Sequence, residues 1–71
     1  MLKLQEIENG KFFKNCPNSK VIYQKLHHHS HFIRVRNLFQ VRQWTDENGN
    51  EIAYEDSIHF SGERKVFLQG A

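Results

Sequence analysis

The longest hydrophobic pattern in the chain covers residues 31–44 and alternates with a period of two. One phase holds Ile33, Val35, Phe39 and Val41. The other phase holds Arg34, Arg36, Leu38, Gln40, Arg42 and Trp44. Because successive side chains of a strand point to opposite faces, this pattern predicts one long strand with an apolar inner face and a basic, aromatic outer face. Asn37 falls on the apolar phase, which predicts a bend or bulge there.

Four shorter segments also have the composition of strands. They are rich in β-branched and aromatic residues and comprise residues 11–14, 20–26, 58–60 and 65–68. Turn-forming residues separate them, at Asn9-Gly10, around Pro17 and over residues 61–64. Residues 4–8 predict either a single helical turn or a short lead-in strand.

The pair Asn48-Gly49 predicts a hairpin with a two-residue type I′ turn. The register that this turn implies pairs Thr45 with Ile52, Gln43 with Tyr54 and Val41 with Asp56. On the opposite face it pairs Trp44 with Ala53 and Arg42 with Glu55. The first of these faces continues the apolar phase of the long strand.

These segments predict a single all-β domain over residues 1–71. A chain of 71 residues is a typical length for one domain. Only 38% of the residues are hydrophobic, but aromatic residues make up 13% and supply large buried areas. Five or six short strands joined by brief turns indicate a small antiparallel barrel or a strongly twisted sheet.

The order of these features resembles the small SH3-like β-barrel proteins of bacteria and phages. The residues that carry the resemblance are 9–13, 21–23, 49–56 and 65–68. The resemblance implies a fold that binds peptides, proteins or nucleic acid, often without catalysis. It transfers no functional residue, because the matching positions describe a core.

Charge is distributed unevenly along the chain, although the formal net charge is only +2. Residues 9–45 contain no Asp or Glu, and they hold Lys11, Lys14, Lys20, Lys25, Arg34, Arg36 and Arg42. This asymmetry predicts a basic surface that attracts a polyanion or an acidic partner. The alternative is that the acidic residues after position 45 fold back and pair with the basic strands.

The outer phase of the long strand is the candidate binding surface. Its members, with one lysine from the preceding strand, are Lys25, Arg34, Arg36, Leu38, Arg42 and Trp44. Spaced arginines can follow a phosphate backbone, and an exposed indole can stack on a base, so we expect RNA or single-stranded DNA as the ligand. Alternatively, Trp44 packs inside against Ala53 and the arginines are only solvated.

Two other functions fit the same sequence. In the first, Trp44, Leu38 and the arginines anchor a protein interface, as in a phage-type or bacterial accessory or inhibitor protein that docks on a host protein. In the second, His27, His29 and His31 share one face of an extended segment and bind a metal ion, with His59 or Cys16 as a possible fourth ligand. A solvated histidine loop is the simpler interpretation of that run.

No catalytic motif or glycine-rich phosphate loop is present in the sequence, so we expect a non-catalytic protein without a cofactor. Cys16 is the only cysteine, which favours a reducing compartment. No stretch approaches the length that spans a membrane, and the first residues lack the apolar run of a signal peptide. We therefore expect a cytoplasmic protein that does not act at a membrane. The oligomeric state stays open.

Overall fold

The computed structural model describes residues 1–27, 31–53 and 58–69, with the side chains of all of these except His31 and Phe32. The described residues form an all-β fold, as the sequence predicts. Its strands are β1 (Leu2–Lys3), β2 (Phe12–Lys14), β3 (Tyr23–Lys25), β4 (Leu38–Gln43), β5 (Ile58–Ser61) and β6 (Lys65–Leu68). A 3₁₀ helix covers Leu4–Glu6, and α1 is a single short helix, His31–Val35.

The six strands form one unclosed antiparallel sheet in the order β1-β6-β2-β3-β4-β5. Strands β2 to β5 follow one another as a meander, so each pairs with its neighbour along the chain. Strand β6 then crosses back to pair with β2 and also takes β1 on its other side. The meander is the part of the sheet that positions the candidate site.

Local sequence explains most element boundaries. Gly10 has φ +89°, a conformation that glycine adopts without strain, and it turns the chain into β2. The predicted strands at 11–14, 58–60 and 65–68 are confirmed with small shifts, and the one at 20–26 is shorter than predicted. At residues 4–8, the predicted helical turn is present as the 3₁₀ helix, where the Lys3 backbone N–H donates to Glu6 Oε1 at 2.8 Å.

The predicted long strand over residues 31–44 is wrong in its first half. His31–Val35 is helical, which buries Ile33 and leaves Val35 69% exposed, so the two apolar residues do not share a face. The helix ends at Val35, and two residues later the Asn37 backbone N–H donates to the Arg34 carbonyl at 3.2 Å, with Asn37 at φ +51°. Asparagine tolerates this left-handed conformation after a helix. The bend predicted at Asn37 is therefore confirmed, and the alternation applies only from Leu38 onward.

The predicted hairpin register is also wrong, by one residue. Thr45 pairs with Glu51, not with Ile52, because three residues rather than two form the turn. Gly49 has φ +86°, whereas Asn48 lacks the positive φ that a type I′ turn requires. The side chain of Asp46 stabilises this turn by accepting hydrogen bonds from the N–H groups of Asn48 and Asn50.

The structure contradicts the predicted continuation of that hairpin at Val41. Val41 pairs with Ile58 of β5 and with Lys25 of β3, so its predicted pairing with Asp56 is wrong. The predicted pairings of Gln43 with Tyr54 and of Arg42 with Glu55 involve positions outside the described residues.

One face of the sheet covers the hydrophobic core, and we call it the inner face. The buried core residues are Leu4 and Ile7, from the 3₁₀ helix and the residue after it, and Phe13, Val41, Phe60 and Val66 from the strands, with Tyr23, Phe39 and Ile58 packed against them. Because the side chains alternate along each strand, the remaining strand positions form the opposite, outer face. No helix in the described part of the chain is long and apolar enough to cross a membrane.

Lys25 lies on the inner face and is 3% exposed, so its predicted place on the binding surface is wrong. Its Nζ donates to the Ile7 carbonyl at 2.6 Å and lies 4.3 Å from the centre of the Phe39 ring. Desolvation in this position lowers the pKa of the Lys25 ammonium from its usual value. Lys25 is two residues from Tyr23 in β3, so both side chains lie on the face that covers the core.

Candidate nucleic-acid interface

Three residues of neighbouring strands form a row across the outer face. Phe12 of β2 is directly opposite Gln24 of β3, and Gln24 is directly opposite Arg42 of β4. Directly opposed residues in a sheet have side chains on the same face, with Cβ atoms about 4.5–5.5 Å apart. The row therefore brings an aromatic ring, an amide and a guanidinium group together.

Trp44 joins this row from the residues just after β4. Its ring lies 3.9 Å below the guanidinium carbon of Arg42, and its centroid is 6.1 Å from that of Phe12 at an interplanar angle of 55°. The indole is half-buried, and Phe12 is 39% exposed. We call Phe12, Gln24, Arg42 and Trp44 the platform.

Gln24 holds the platform together through both ends of its amide. Its Oε1 accepts a hydrogen bond from the indole Nε1 of Trp44 at 3.0 Å, and its Nε2 donates to the Gly10 carbonyl at 3.2 Å. The hydrogen bond that Nε1 donates fixes the orientation of the indole ring, because this N–H is the only donor of the side chain. The orientation of Trp44 is thus set before any ligand arrives.

Arg42 is incompletely satisfied in this arrangement. Its Nε is buried and has no hydrogen-bond partner among the described residues. A buried donor without a partner costs about 1–3 kcal/mol. An acceptor that drew the guanidinium outward would remove that cost, so Arg42 is suited to contact an anion or a carbonyl oxygen.

Among the described residues, the strands carry basic side chains and no acidic ones. Lys3, Lys14, Arg42 and Lys65 are the strand cations of the outer face. Lys14 alternates with the buried Phe13 and therefore lies on the same face as the platform. The described acidic residues are in the 3₁₀ helix, turns and hairpin loop instead.

The ion pair seen among the described residues lies away from the platform. Lys3 Nζ is 2.8 Å from Glu63 Oε2 in the turn between β5 and β6. The hydrogen bond between them raises the pKa of Lys3 and lowers that of Glu63. Within the described residues, Arg42 and Lys14 form no such pair.

The structure brings only part of the predicted surface together. Arg42 and Trp44 lie side by side on the outer face, as predicted, and Trp44 does not enter the core. Leu38 shares their phase but lies at the far end of β4, where it lines a cavity of about 160 Å³ with Ile33 and other residues near α1.

The two remaining arginines do not belong to the predicted strand face. Arg34 is on α1 and Arg36 follows it, and both are exposed. The helix places them before the bend at Asn37, whereas Arg42 lies beyond it in β4. Their predicted alignment with Arg42 along one strand is therefore wrong.

Sequence reasoning missed Phe12 and Gln24. The adjacent pair Phe12-Phe13 held a usable signal, because two consecutive aromatic residues in a strand must occupy opposite faces. One of them had to lie outside the core. Gln24 carried no comparable signal, since its role depends on a residue that is 20 positions away in the chain.

The predicted metal site is not assembled among the described residues. His27 is exposed, and its Nδ1 lies 2.7 Å from Asn9 Nδ2. His29 lies outside the described residues, and His31 begins α1 rather than continuing an extended segment. In the described part of the chain, no group of three or more potential ligands is close enough to hold an ion.

Comparison of the chain with protein-family models, curated proteins and solved structures finds no match. The resemblance to SH3-like barrels therefore stays a prediction, and the functional argument depends on the platform itself.

Proposed function

We propose that the protein binds single-stranded nucleic acid, RNA or DNA, by stacking bases on the platform. The observation that carries this proposal is the exposed Phe12 beside the Arg42–Trp44 stack, on a sheet face whose strands, as far as the structure describes them, hold basic and no acidic side chains. Aromatic side chains on which bases stack, within a positively charged surface, are the shared feature of proteins that bind single strands.

Stacking supplies the first part of the affinity. Each base stacked on an aromatic side chain contributes about 1–3 kcal/mol, and arginine adds cation–π contacts. The Phe12 ring is exposed enough to accept a base directly. Trp44 offers the guanidinium plane of Arg42, which also stacks on bases.

Electrostatic attraction supplies the second part. Lys14 is two residues from Phe12 in β2, and both side chains are on the same face. A phosphate next to a base on the Phe12 ring is therefore within reach of the Lys14 ammonium group. Contacts of this type make affinity fall as salt rises, because bound phosphates release their counterions.

The geometry favours single strands over duplexes. The platform rings lie on the surface of a sheet and reach only bases that have been unstacked, whereas the base faces of a duplex are covered by their neighbours. No helix of the described residues is positioned as a groove reader, because α1 has only five residues. We therefore expect a duplex of the same length to bind more weakly.

A pair of charge-matched variants tests the proposal. Arg42→Gln and Arg34→Gln each remove one positive charge, but only the first removes a platform residue. With a labelled oligo(dT) of about 12 nucleotides, within the site sizes of small domains, we expect Arg42→Gln to weaken binding about tenfold. Arg34→Gln should change it about twofold, as expected for one remote, screened charge.

Two outcomes would contradict the proposal. One is equal weakening by both variants, which would reduce binding to general charge attraction. The other is no measurable binding of the wild-type protein to any single strand at about 50 mM salt, where phosphate contacts are strong.

Protein docking is the second candidate function, and the exposure of Phe12 beside Trp44 favours it. Aromatic and arginine side chains are the residue types that dominate protein interfaces. A partner that co-purifies with the chain after nuclease treatment, is retained at high salt and is lost on Phe12→Ala would support this function over nucleic-acid binding.

A further inference from the structure

We propose that Gln24 is the positioning residue of the platform and that the platform consequently binds bases without selecting among them. This inference rests on the proposed function, since it describes how the same surface would treat a single strand. Gln24 lies at the centre of the row, directly opposite Phe12 on one side and Arg42 on the other. A base over the row would lie closest to this side chain.

The hydrogen bonds of Gln24 are directed into the protein rather than toward a ligand. Its Oε1 is occupied by the indole N–H of Trp44 and its Nε2 by the Gly10 carbonyl. Asparagine and glutamine read bases by donating and accepting at the same time through a free amide. Each end keeps one further hydrogen-bonding position, but the two bonds fix the amide in the orientation that holds Trp44. Gln24 therefore orients the indole that supports the Arg42 guanidinium and does not turn toward a base edge.

Gln24→Met tests the positioning role in the free protein. Methionine has a similar shape, but its thioether sulfur is only a weak acceptor for the indole N–H. Trp44 is the only tryptophan, so the tryptophan fluorescence reports on this side chain alone. We expect acrylamide to quench the Gln24→Met variant about twofold more strongly than wild type, because the indole edge is no longer held. Gln24→Glu keeps the acceptor for the indole N–H but loses the donor to the Gly10 carbonyl, so its quenching should fall between those of wild type and Gln24→Met.

The matched control is Gln40→Met, which makes the same change on the outer face of β4, opposite His59. It should leave the quenching of Trp44 unchanged. Equal quenching of wild type and Gln24→Met would overturn the positioning role. This result does not depend on any ligand, so it is separate from a failure of the proposed function.

Binding measurements then test the absence of base selection. We expect Gln24→Met to weaken binding of oligo(dT), oligo(dA) and oligo(dC) by the same factor, about fivefold, which is part of the free energy of stacking one base. The dependence of affinity on salt should not change, because no phosphate contact is removed. A loss confined to one homopolymer would show that Gln24 reads a base edge and would overturn the inference.

Discussion

The two faces of the sheet use the same combination of side chains in different ways. On the inner face, the ammonium group of Lys25 lies 4.3 Å from the Phe39 ring and donates to the Ile7 carbonyl. On the outer face, the guanidinium group of Arg42 lies 3.9 Å from the Trp44 ring, and its Nε has no partner among the described residues. Each face therefore has a cation on an aromatic ring, but only the inner cation is enclosed.

The difference separates a cation that is satisfied within the protein from one that is not. A buried cation must have its polar partners within the protein, because burial without them is costly. Lys25 meets that condition through the Ile7 carbonyl, and its side chain is too buried to contact a ligand. Arg42 is half-buried, and its Nε has no hydrogen-bond partner among the described residues, so a ligand can supply that partner.

The largest difference between the faces should appear in stability. Phe13 is fully buried, whereas Phe12 beside it is 39% exposed. We expect Phe13→Ala to lower the free energy of unfolding by about 3–5 kcal/mol, through lost burial and a cavity. Phe12→Ala should lower it by about 1 kcal/mol or less. Urea denaturation measures both changes.

Phe13→Leu covers the case in which Phe13→Ala does not fold, since it retains most of the buried volume and should cost about 1.5 kcal/mol. A Phe12→Ala variant that is destabilised as much as the Phe13 variants would show that the outer ring belongs to the core.

Phe12→Ala, which should affect stability little, should have a large effect on binding. We expect Phe12→Ala to weaken binding of oligo(dT) by about 1–3 kcal/mol, the contribution of one stacked base. Val35→Ala is the matched control, because Val35 is an exposed apolar residue away from the platform. Fluorescence anisotropy measures the affinities. Equal effects of the two substitutions would remove the special role of the outer face.

The burial of Lys25 should make the free energy of unfolding depend on pH. Since burial lowers the pKa of Lys25, the unfolded chain binds more protons than the folded one between that lowered value and 10.5. The free energy of unfolding of wild type, relative to Lys25→Met, should therefore rise as pH increases through this window. Below the window the difference should be constant.

Urea denaturation from neutral pH to about 10, near the unperturbed value for lysine, measures the difference. The comparison with Lys25→Met removes the contributions of other groups that titrate in both proteins. A difference that is independent of pH would show that Lys25 is not desolvated, and the contrast between the two cations would fail.

The smallest effect should come from a single phosphate contact. Lys14→Gln should reduce the slope of log affinity against log salt by about 0.7, the value for one phosphate of a single strand. Lys3→Gln is the control, because Lys3 is already paired with Glu63. Titrations between about 50 mM and about 200 mM salt give the slopes. An unchanged slope for Lys14→Gln would place the phosphate backbone elsewhere.

The all-β fold and most strands were predictable, because strand composition and turn residues are local properties. Strand β6 is a clear case, since Lys65–Leu68 has the bounds that its composition predicts. The helix α1 was not predictable from the period of two. Five residues are too few to distinguish helical from strand spacing.

The candidate site was predictable only in part, for a related reason. Arg42 and Trp44 lie in one strand segment, so the alternation places them correctly. Lys25 of the preceding strand was assigned to the surface only because of its charge, and charge does not specify a face. Phe12 and Gln24 join the site through the register of β2, β3 and β4, which depends on tertiary pairing.

The emission of Trp44 during a titration with oligo(dT) tests the platform most directly. Trp44 is the only tryptophan, and it lies in the proposed contact surface. If bases stack on the platform, its fluorescence should be quenched in proportion to the bound fraction that anisotropy of the labelled strand reports. Binding that leaves the emission of Trp44 unchanged would contradict the account, because the strand would then be held by another part of the protein.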